Sequence, residues 1–486
     1  MNSKINLVLL LLLAFSTVHS QDAVMYDSTK MMMSEKPGAA FNSYMVQNMT
    51  ATLAIDSSFS LDTIKTNGFV YYIKHNEDKN AETQLNIVYK VGYLLEDSTK
   101  RASAFFTANY ISKYYEAKIN KDFTGNVNSK VNVDVKPEFT NFVFNITATD
   151  ENKKTTISNL LKLLADSIPF NSTILEANKT DFVTRYKTNF YNELAYRNSK
   201  MPTAKYLNAI TAAKLKQFYK DWYRPNLMSV IVAGDLDVAQ IQKEIKADFS
   251  KLKNPLKEKK VAFVGLSKTP SLLYSVVIDS SITDNALLSF YYKVGRTNRG
   301  SITGYAETVM GNLTSIIINK VFDDYNREHN VTKLKSTLSY VPFAKNIDAL
   351  ELNATCTQNY ADTLTVLMLD FENDFKAGEM ISEKELAKAK AIYLNNLEKY
   401  KVKNTQDYIN SCLKHFIYNI PIVTDDQERV RNFIEKLDVK SIGDYMASAF
   451  KKENIAIVVR KPAGATMLFN TKTALLKKYE EIFPKK

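Results

Sequence analysis

The chain of 486 residues is short of the residues that most chemistry and most tight turns require: 4 histidines, 2 cysteines, 13 glycines and 1 tryptophan. So few glycines leave little room for loops that cradle phosphate with backbone N–H groups. No P-loop, Gly-x-Gly-x-x-Gly or Gly-x-Ser-x-Gly pattern occurs. Beyond His19 the histidines are His75, His329 and His415, too far apart in sequence for any His-x-x-x-His pair. His75 reads as a polar loop residue in HNED, and His415, after Leu413 on an apolar helical stretch, as a packed histidine. Cys356 and Cys412 are too few for a cysteine metal site, and read either as one disulfide in an oxidising compartment or as two buried thiols.

Long apolar runs are also missing. The run from Ile5 to Phe15 is too short to span a bilayer and no later stretch approaches about eighteen uninterrupted apolar residues, so no membrane span is expected. That early run follows Lys4 and precedes Val18-His19-Ser20, whose small residues suit signal peptidase. The expectation is a leader over 1–20, an N-terminal extension over 21–60, and a secreted or extracytoplasmic protein, periplasmic if the source is bacterial. The 64 basic and 52 acidic residues give +12, spread along the chain. With neither a basic stripe nor an aromatic RNA-binding signature, nucleic acid is not an expected partner. Asn-x-Ser/Thr sequons fall at Asn48, Asn145, Asn171, Asn178, Asn312, Asn330 and Asn353, candidates for glycosylation in a eukaryotic source.

What is present is a duplicated unit. Ile210 to Asp237 carries an amphipathic helix (Leu215, Phe218, Trp222), a break at Pro225 and the apolar strand Met228 to Ala233. Val439 to Val459 repeats that order, with Ile442, Tyr445 and Ala449 on a helix before the strand Ile455 to Val459. A separation of roughly 227 residues is far too long for a solenoid and implies two whole domains of similar fold. Within the units, Leu85, Ile87, Tyr89 and Val91 alternate as a half-buried strand, as do Phe142, Phe144 and Ile146. Ile157, Leu160, Leu161, Leu164 and Ile168 recur at helical spacing before Pro169, and Ser382 with Glu385 forms a capping box. Strands followed by helices predict α+β domains, each a largely antiparallel sheet with helices on one face. The first spans 61–250 and the second 271–486; polar KLKNPLKEKK opens a linker over 251–270.

Residues 68–110 then carry a resemblance. A strand over Thr83 to Gly92, the turn GYLLED and a following helix resemble the opening of the insulinase/pitrilysin (M16) zinc metallopeptidases, and FYKDWYRPNLMSVIVAGDLD, Phe218 to Asp237, is similar to the end of their first domain. The resemblance implies two homologous domains of the LuxS/mitochondrial processing peptidase-like type, a cavity for unfolded peptide, and pairing of subunits. It also sets a register in which Arg101 and Ala104 match the family pattern while Phe105, Ala108 and Asn109 stand where active members have His, Glu and His. A phenyl ring and a methyl group offer zinc no lone pair.

The third ligand, a Glu about 75 residues on in that family, falls at Val183, Thr184 or Arg185. Glu176, Asp181 and Glu193 are out of register and read as solvated carboxylates. An Arg and Tyr pair that active members use on peptide is incomplete, with Asn326 and Lys333 or Arg327 and Leu334 at its positions. The resemblance therefore implies a degenerate member without catalytic residues, metal or other cofactor. Such a chain would be a partner subunit shaping the peptide chamber of an active M16 peptidase. The alternatives are a stand-alone peptide-binding carrier or receptor, and a residual metalloendopeptidase acting with a partner chain.

Overall fold

The computed structural model describes residues 56, 58–78, 82–197, 200–261, 272–295, 299–328, 334–369, 381–399, 404–422, 427–451, 454–466 and 469–482. The expected leader, most of the N-terminal extension, Asn48, His329, Asn330 and Lys333 lie outside them.

The first half holds strands β1 (Ser60–Ile64), β2 (Phe69–His75), β3 (Thr83–Tyr89), β4 (Asn132–Val135), β5 (Thr140–Ile146) and β6 (Met228–Gly234). Its helices are α1 (Ser103–Asp122), α2 (Asp150–Ala165), α3 (Ser172–Asn189), α4 (Ala204–Asn208), α5 (Ala212–Trp222) and α6 (Val238–Phe249). The second half holds β7 (Leu273–Ile278), β8 (Asn285–Gly295), β9 (Leu334–Ala344), β10 (Ile347–Thr357) and β11 (Ile455–Lys461). With them come α7 (Ile302–Glu328), α8 (Gln358–Leu369), α9 (Glu383–Lys399), α10 (Thr405–Tyr418), α11 (Gln427–Lys436), α12 (Val439–Ala449) and α13 (Lys472–Ile482).

The two sheets run β1-β2-β6-β3-β5-β4 and β7-β11-β8-β10-β9. Each has one parallel pair, β2 with β6 and β7 with β11, and is otherwise antiparallel. Reading β2, β6, β3, β5, β4 against β7, β11, β8, β10, β9 gives the same order and directions, so the duplication seen in sequence is a duplication of topology. The fold is α+β, as the strand and helix patterns predict. The capping box forms, with Ser382 N–H donating to Glu385 Oε2 at 2.7 Å and Glu385 N–H to Ser382 Oγ at 3.2 Å. At Gly234, φ is 149° and an added Cβ would lie 2.4 Å from the Thr83 hydroxyl, so only glycine lets β6 close against β3 there.

One expectation fails in an informative way. β3 is buried along its whole length, not half-buried, and lies beside the equally buried β6, because α10 of the second half crosses the outer face of the first sheet. Asn404 caps α10 by accepting from Asp407 N–H at 2.9 Å, Ile409, Cys412 and Phe416 line its buried side, and Asn419 ends it in the left-handed region at φ 56°. They pack on Phe59, Tyr72, Val88, Phe139, Ile231 and Ala233. In return, Tyr196 of the first half stacks on Phe343 of the second at 4.0 Å, and the Arg460 guanidinium lies 5.0 Å from the Tyr191 ring.

The disulfide reading of Cys356 and Cys412 is corrected: both are free, buried thiols. Cys356 sits in the core of the second sheet and Cys412 in the cluster under α10, two separate apolar clusters.

Candidate functional site

The strand-turn-helix that carries the motif register is built as the sequence implies. Gly92 opens the turn where an added Cβ would lie 2.1 Å from the Lys136 carbonyl, and Leu94 N–H donates to Pro137 O at 2.9 Å. The chain then enters α1 through Ala102, which takes φ 64°, a conformation costing a non-glycine residue on the order of 1–3 kcal/mol.

A side chain distant from the cap position holds that strained start. The buried Glu96 carboxylate accepts from Ala102 N–H at 3.0 Å and from Ala104 N–H at 2.7 Å, and Arg197 Nη2 lies 3.3 Å from it. Two orphan helix donors are thereby satisfied by one side-chain carboxyl group at the start of the helix. Arg197 also donates to the Tyr93 carbonyl, and its Nε lies 3.6 Å from Glu193 Oε2. Glu193 is thus not the solvated carboxylate its place in sequence suggested. It is buried in a short 3-10 turn after α3, and its Oε2 makes no hydrogen bond. Burial, and after it the Glu193 carboxylate, push Glu96 above the usual carboxylate range against the pull of Arg197; burial likewise raises Glu193. Neither the cluster nor its burial was legible beforehand, although Glu96 stands inside the GYLLED turn.

Above this cluster lie the motif positions. Phe105 is half-buried, 5.5 Å from the Tyr186 ring, and Ala108 is wholly buried. Asn109 is buried too; its Nδ2 donates to the Phe105 carbonyl at 2.8 Å, and its Oδ1 accepts from Arg185 Nη2. Of the three residues at which a third ligand could fall, Val183 turns into the core, Thr184 bonds back to Thr180 O at 3.0 Å, and Arg185 meets the motif helix. The Arg185 guanidinium is further held by Asp181, 3.0 Å from its Nε. Glu176 pairs with Lys179 at 2.9 Å on an exposed face.

This donor set does not fit zinc. The inward groups are a phenyl ring, a methyl group, an amide already bonded at both ends, and a guanidinium that has no lone pair and repels a cation. Among the described residues no three His, Cys, Asp or Glu side chains gather as a metal site. The remaining candidates lie elsewhere. Arg327 pairs with Asp324 at 2.6 Å on the exposed end of α7, Asn326 precedes it, and Leu334 begins β9. His75 Nδ1 lies 3.1 Å from the Leu236 carbonyl, and His415 packs between the halves. Of the described sequon asparagines, Asn171 and Asn353 are exposed. Asn145 lies within paired β5, and Asn178 and Asn312 donate Nδ2 to helix carbonyls at 2.9 Å.

Comparison with known proteins follows the same outline. The family described as Peptidase M16 inactive domain matches residues 209–393, from the end of the first unit into α9. A probable zinc protease PqqL of Haemophilus influenzae is 21% identical over 292 residues, which cover 54% of this chain and 31% of that protein. The chain thus spans under a third of the length of the curated relatives it matches. Among solved structures, the first half of the periplasmic protease PqqL from Escherichia coli aligns with TM-score 0.67 and 16% identity, covering 90% of this chain and 99% of that one. A second structure of the periplasmic protease PqqL from E. coli aligns with TM-score 0.67 and 16% identity, covering 90% of this chain and 51% of that one.

Proposed function

Because the chain is a member of the M16 peptidase family, we propose that it is a non-catalytic, extracytoplasmic member that supplies one half of a peptide chamber, the other half coming from an active M16 chain. The observation that carries this reading is the Arg185–Asn109 hydrogen bond. In the register that the family resemblance sets, a fixed cation and a committed amide then stand at two of the positions where a catalytic member would hold its metal. Without a metal-bound hydroxide or a general base at Ala108, these residues activate no water. The match to nearly all of a solved half and to 51% of the whole E. coli protease supports a unit that is completed by a second one. The description of that relative as periplasmic supports an extracytoplasmic location.

The test is purification from the native source with mass spectrometry of co-eluting chains. An M16 chain with an intact His-x-x-Glu-His at one-to-one stoichiometry is the expected result. Recovery of the chain alone, loaded with peptide, would favour a stand-alone carrier. Elemental analysis after dialysis is expected to find no stoichiometric zinc, and chelator-sensitive peptide cleavage by the isolated chain would overturn the reading.

A further inference from the structure

Helix α10 belongs by sequence to the second half but is seated on the first sheet, and a side-chain polar contact lies within that apolar seat. Tyr72 of β2 and His415 of α10, 343 residues apart, meet with the phenol oxygen 2.7 Å from His415 Nδ1, their rings edge-on at 5.7 Å. One turn away Cys412 is buried in the same cluster, and Lys90, just after β3, lies over the Phe416 ring at 4.1 Å. The helix is tied at its start by Thr405 Oγ1 donating to Glu82 O at 2.7 Å, and at its end by the Arg299 guanidinium, 5.5 Å from the Tyr418 ring.

We propose that His415 is an acid-sensitive latch: protonation of its imidazole loosens α10 from the outer face of the first sheet and so uncouples the two halves. With the neutral ring as its Nε2–H tautomer, Nδ1 accepts from the Tyr72 hydroxyl. Protonation turns that nitrogen into a donor, so the Tyr72 O–H must swing away, and it places a second positive charge beside Lys90 in a poorly solvated seat.

The groups facing this seat can be sorted by the sign of their response. Burial, and then the Lys90 charge, hold His415 below the ordinary histidine range. Seating therefore favours the neutral ring; its contribution is complete above about pH 6.5 and is lost as pH falls, by at most about tenfold per unit. Burial pushes the Lys90 ammonium down to about 8, so its response ends on the alkaline side and is flat under acid. Glu138, which faces Lys90, Lys345 and Arg299 from the β4–β5 turn, is raised by burial; acid strengthens the seat through it, the opposite direction. Lys74 lies over Phe59 and Tyr408 at 5.0 and 5.1 Å. Burial raises the Cys412 thiol, which is neutral under acid. Only His415 among these weakens the seat between neutral and mildly acid pH.

The two free cysteines report the outcome without labels, since Cys412 lies under α10 and Cys356 in the second core. The experiment measures the rate at which each reacts with 4,4′-dithiodipyridine in the full chain, relative to the denatured chain at the same pH. Between about pH 7.5 and about pH 5 the protection of Cys412 is expected to fall about fivefold or more while that of Cys356 holds. His415→Gln should remove the dependence, and Tyr72→Phe should expose Cys412 already at neutral pH. Protection of Cys412 that does not change with pH, equal exposure of both cysteines, or an unchanged dependence in the folded His415→Gln chain would each overturn the latch. Should His415→Gln not fold, a Tyr72→Phe chain with wild-type protection at neutral pH overturns it equally.

Discussion

The two sheets share strand order and directions yet live in different surroundings. The first is covered on its inner face by its own helices and on its outer face by α10, so that β3 and β6 are buried from end to end. Among the described residues the matching face of the second sheet is partly covered from the first half, Tyr196 stacking on Phe343 and Tyr191 lying by Arg460, while Tyr291, Ala456 and Val458 join the first half's apolar cluster. Beyond that cover, Ser289 and Asn353 face outward, joined at 2.6 Å across neighbouring strands. Duplication preserved the path of the chain; what each sheet must exclude from water is decided by which segment of the other half happens to cross it.

The helices that open each unit differ in the same sense. In the second unit α7 has a local cap, Ser301 Oγ accepting from Gly304 N–H at 3.0 Å. In the first, α1 depends on Glu96 and its buried partners. A local cap needs only its own turn, whereas the distant one ties α1 to the end of α3.

Substitutions can break or sharpen this comparison. The largest effect is expected from Val88→Asp on the covered sheet, which buries an unpaired charge and should cost more than about 4 kcal/mol, whereas Asn353→Asp on the open face should stay within about 0.5 kcal/mol. Urea titration of both variants measures the contrast, and equal losses would contradict the difference in cover. Phe416→Ala, which hollows the seat of α10, should cost about 3 kcal/mol, and Tyr191→Ala, which thins the partial cover of the second sheet, about 1 kcal/mol. Next, Glu96→Ala takes one partner from Arg197 and leaves two helix N–H groups without an acceptor, and should cost about 3 kcal/mol, against about 1 kcal/mol for Ser301→Ala. Calorimetric unfolding compares the pair; a cheaper Glu96→Ala would mean that α1 is capped by other means.

The smallest effect is a slope. Glu193 and Glu96 sit above their ordinary value near 4.5, so the folded chain holds a proton that the unfolded chain releases. Their contribution is complete below that value and is lost as pH rises toward the raised folded values, at no more than about 1.4 kcal/mol per unit for each proton. Glu193→Gln should flatten the decline in urea midpoint from mildly acid to neutral pH. A wild-type midpoint that rises steadily over that range would show the sign to be wrong.

Much of this architecture was legible in residues that answer to near neighbours. Met228 to Ala233 reads as a buried strand, Ser382 and Glu385 as a cap, and the helix-turn-strand endings as a repeat, because each depends on side chains a few positions apart. The helix bearing Phe105, Ala108 and Asn109 could be placed for the same reason. What stayed hidden depends on distant segments. The alternation of Leu85, Ile87 and Tyr89 gives no sign that Val88 also faces apolar surroundings, since its cover arrives more than 300 residues later. Glu193 looked like a surface carboxylate because nothing near it in sequence announces Glu96. Likewise three residues were equally placed to face Asn109, and only packing selects Arg185.

That selection makes any path to a metal site at these positions a ratchet. Asn109→His alone takes from Arg185 the amide oxygen that anchors it. Arg185→Glu alone sets two carboxylates one helical turn apart, at 181 and 185, with no cation between them. Phe105→His alone gives up the ring contact with Tyr186 for a single ligand. Each of these substitutions is unfavourable until the others have arrived, so gradual mutation has no downhill route to a zinc site at these positions.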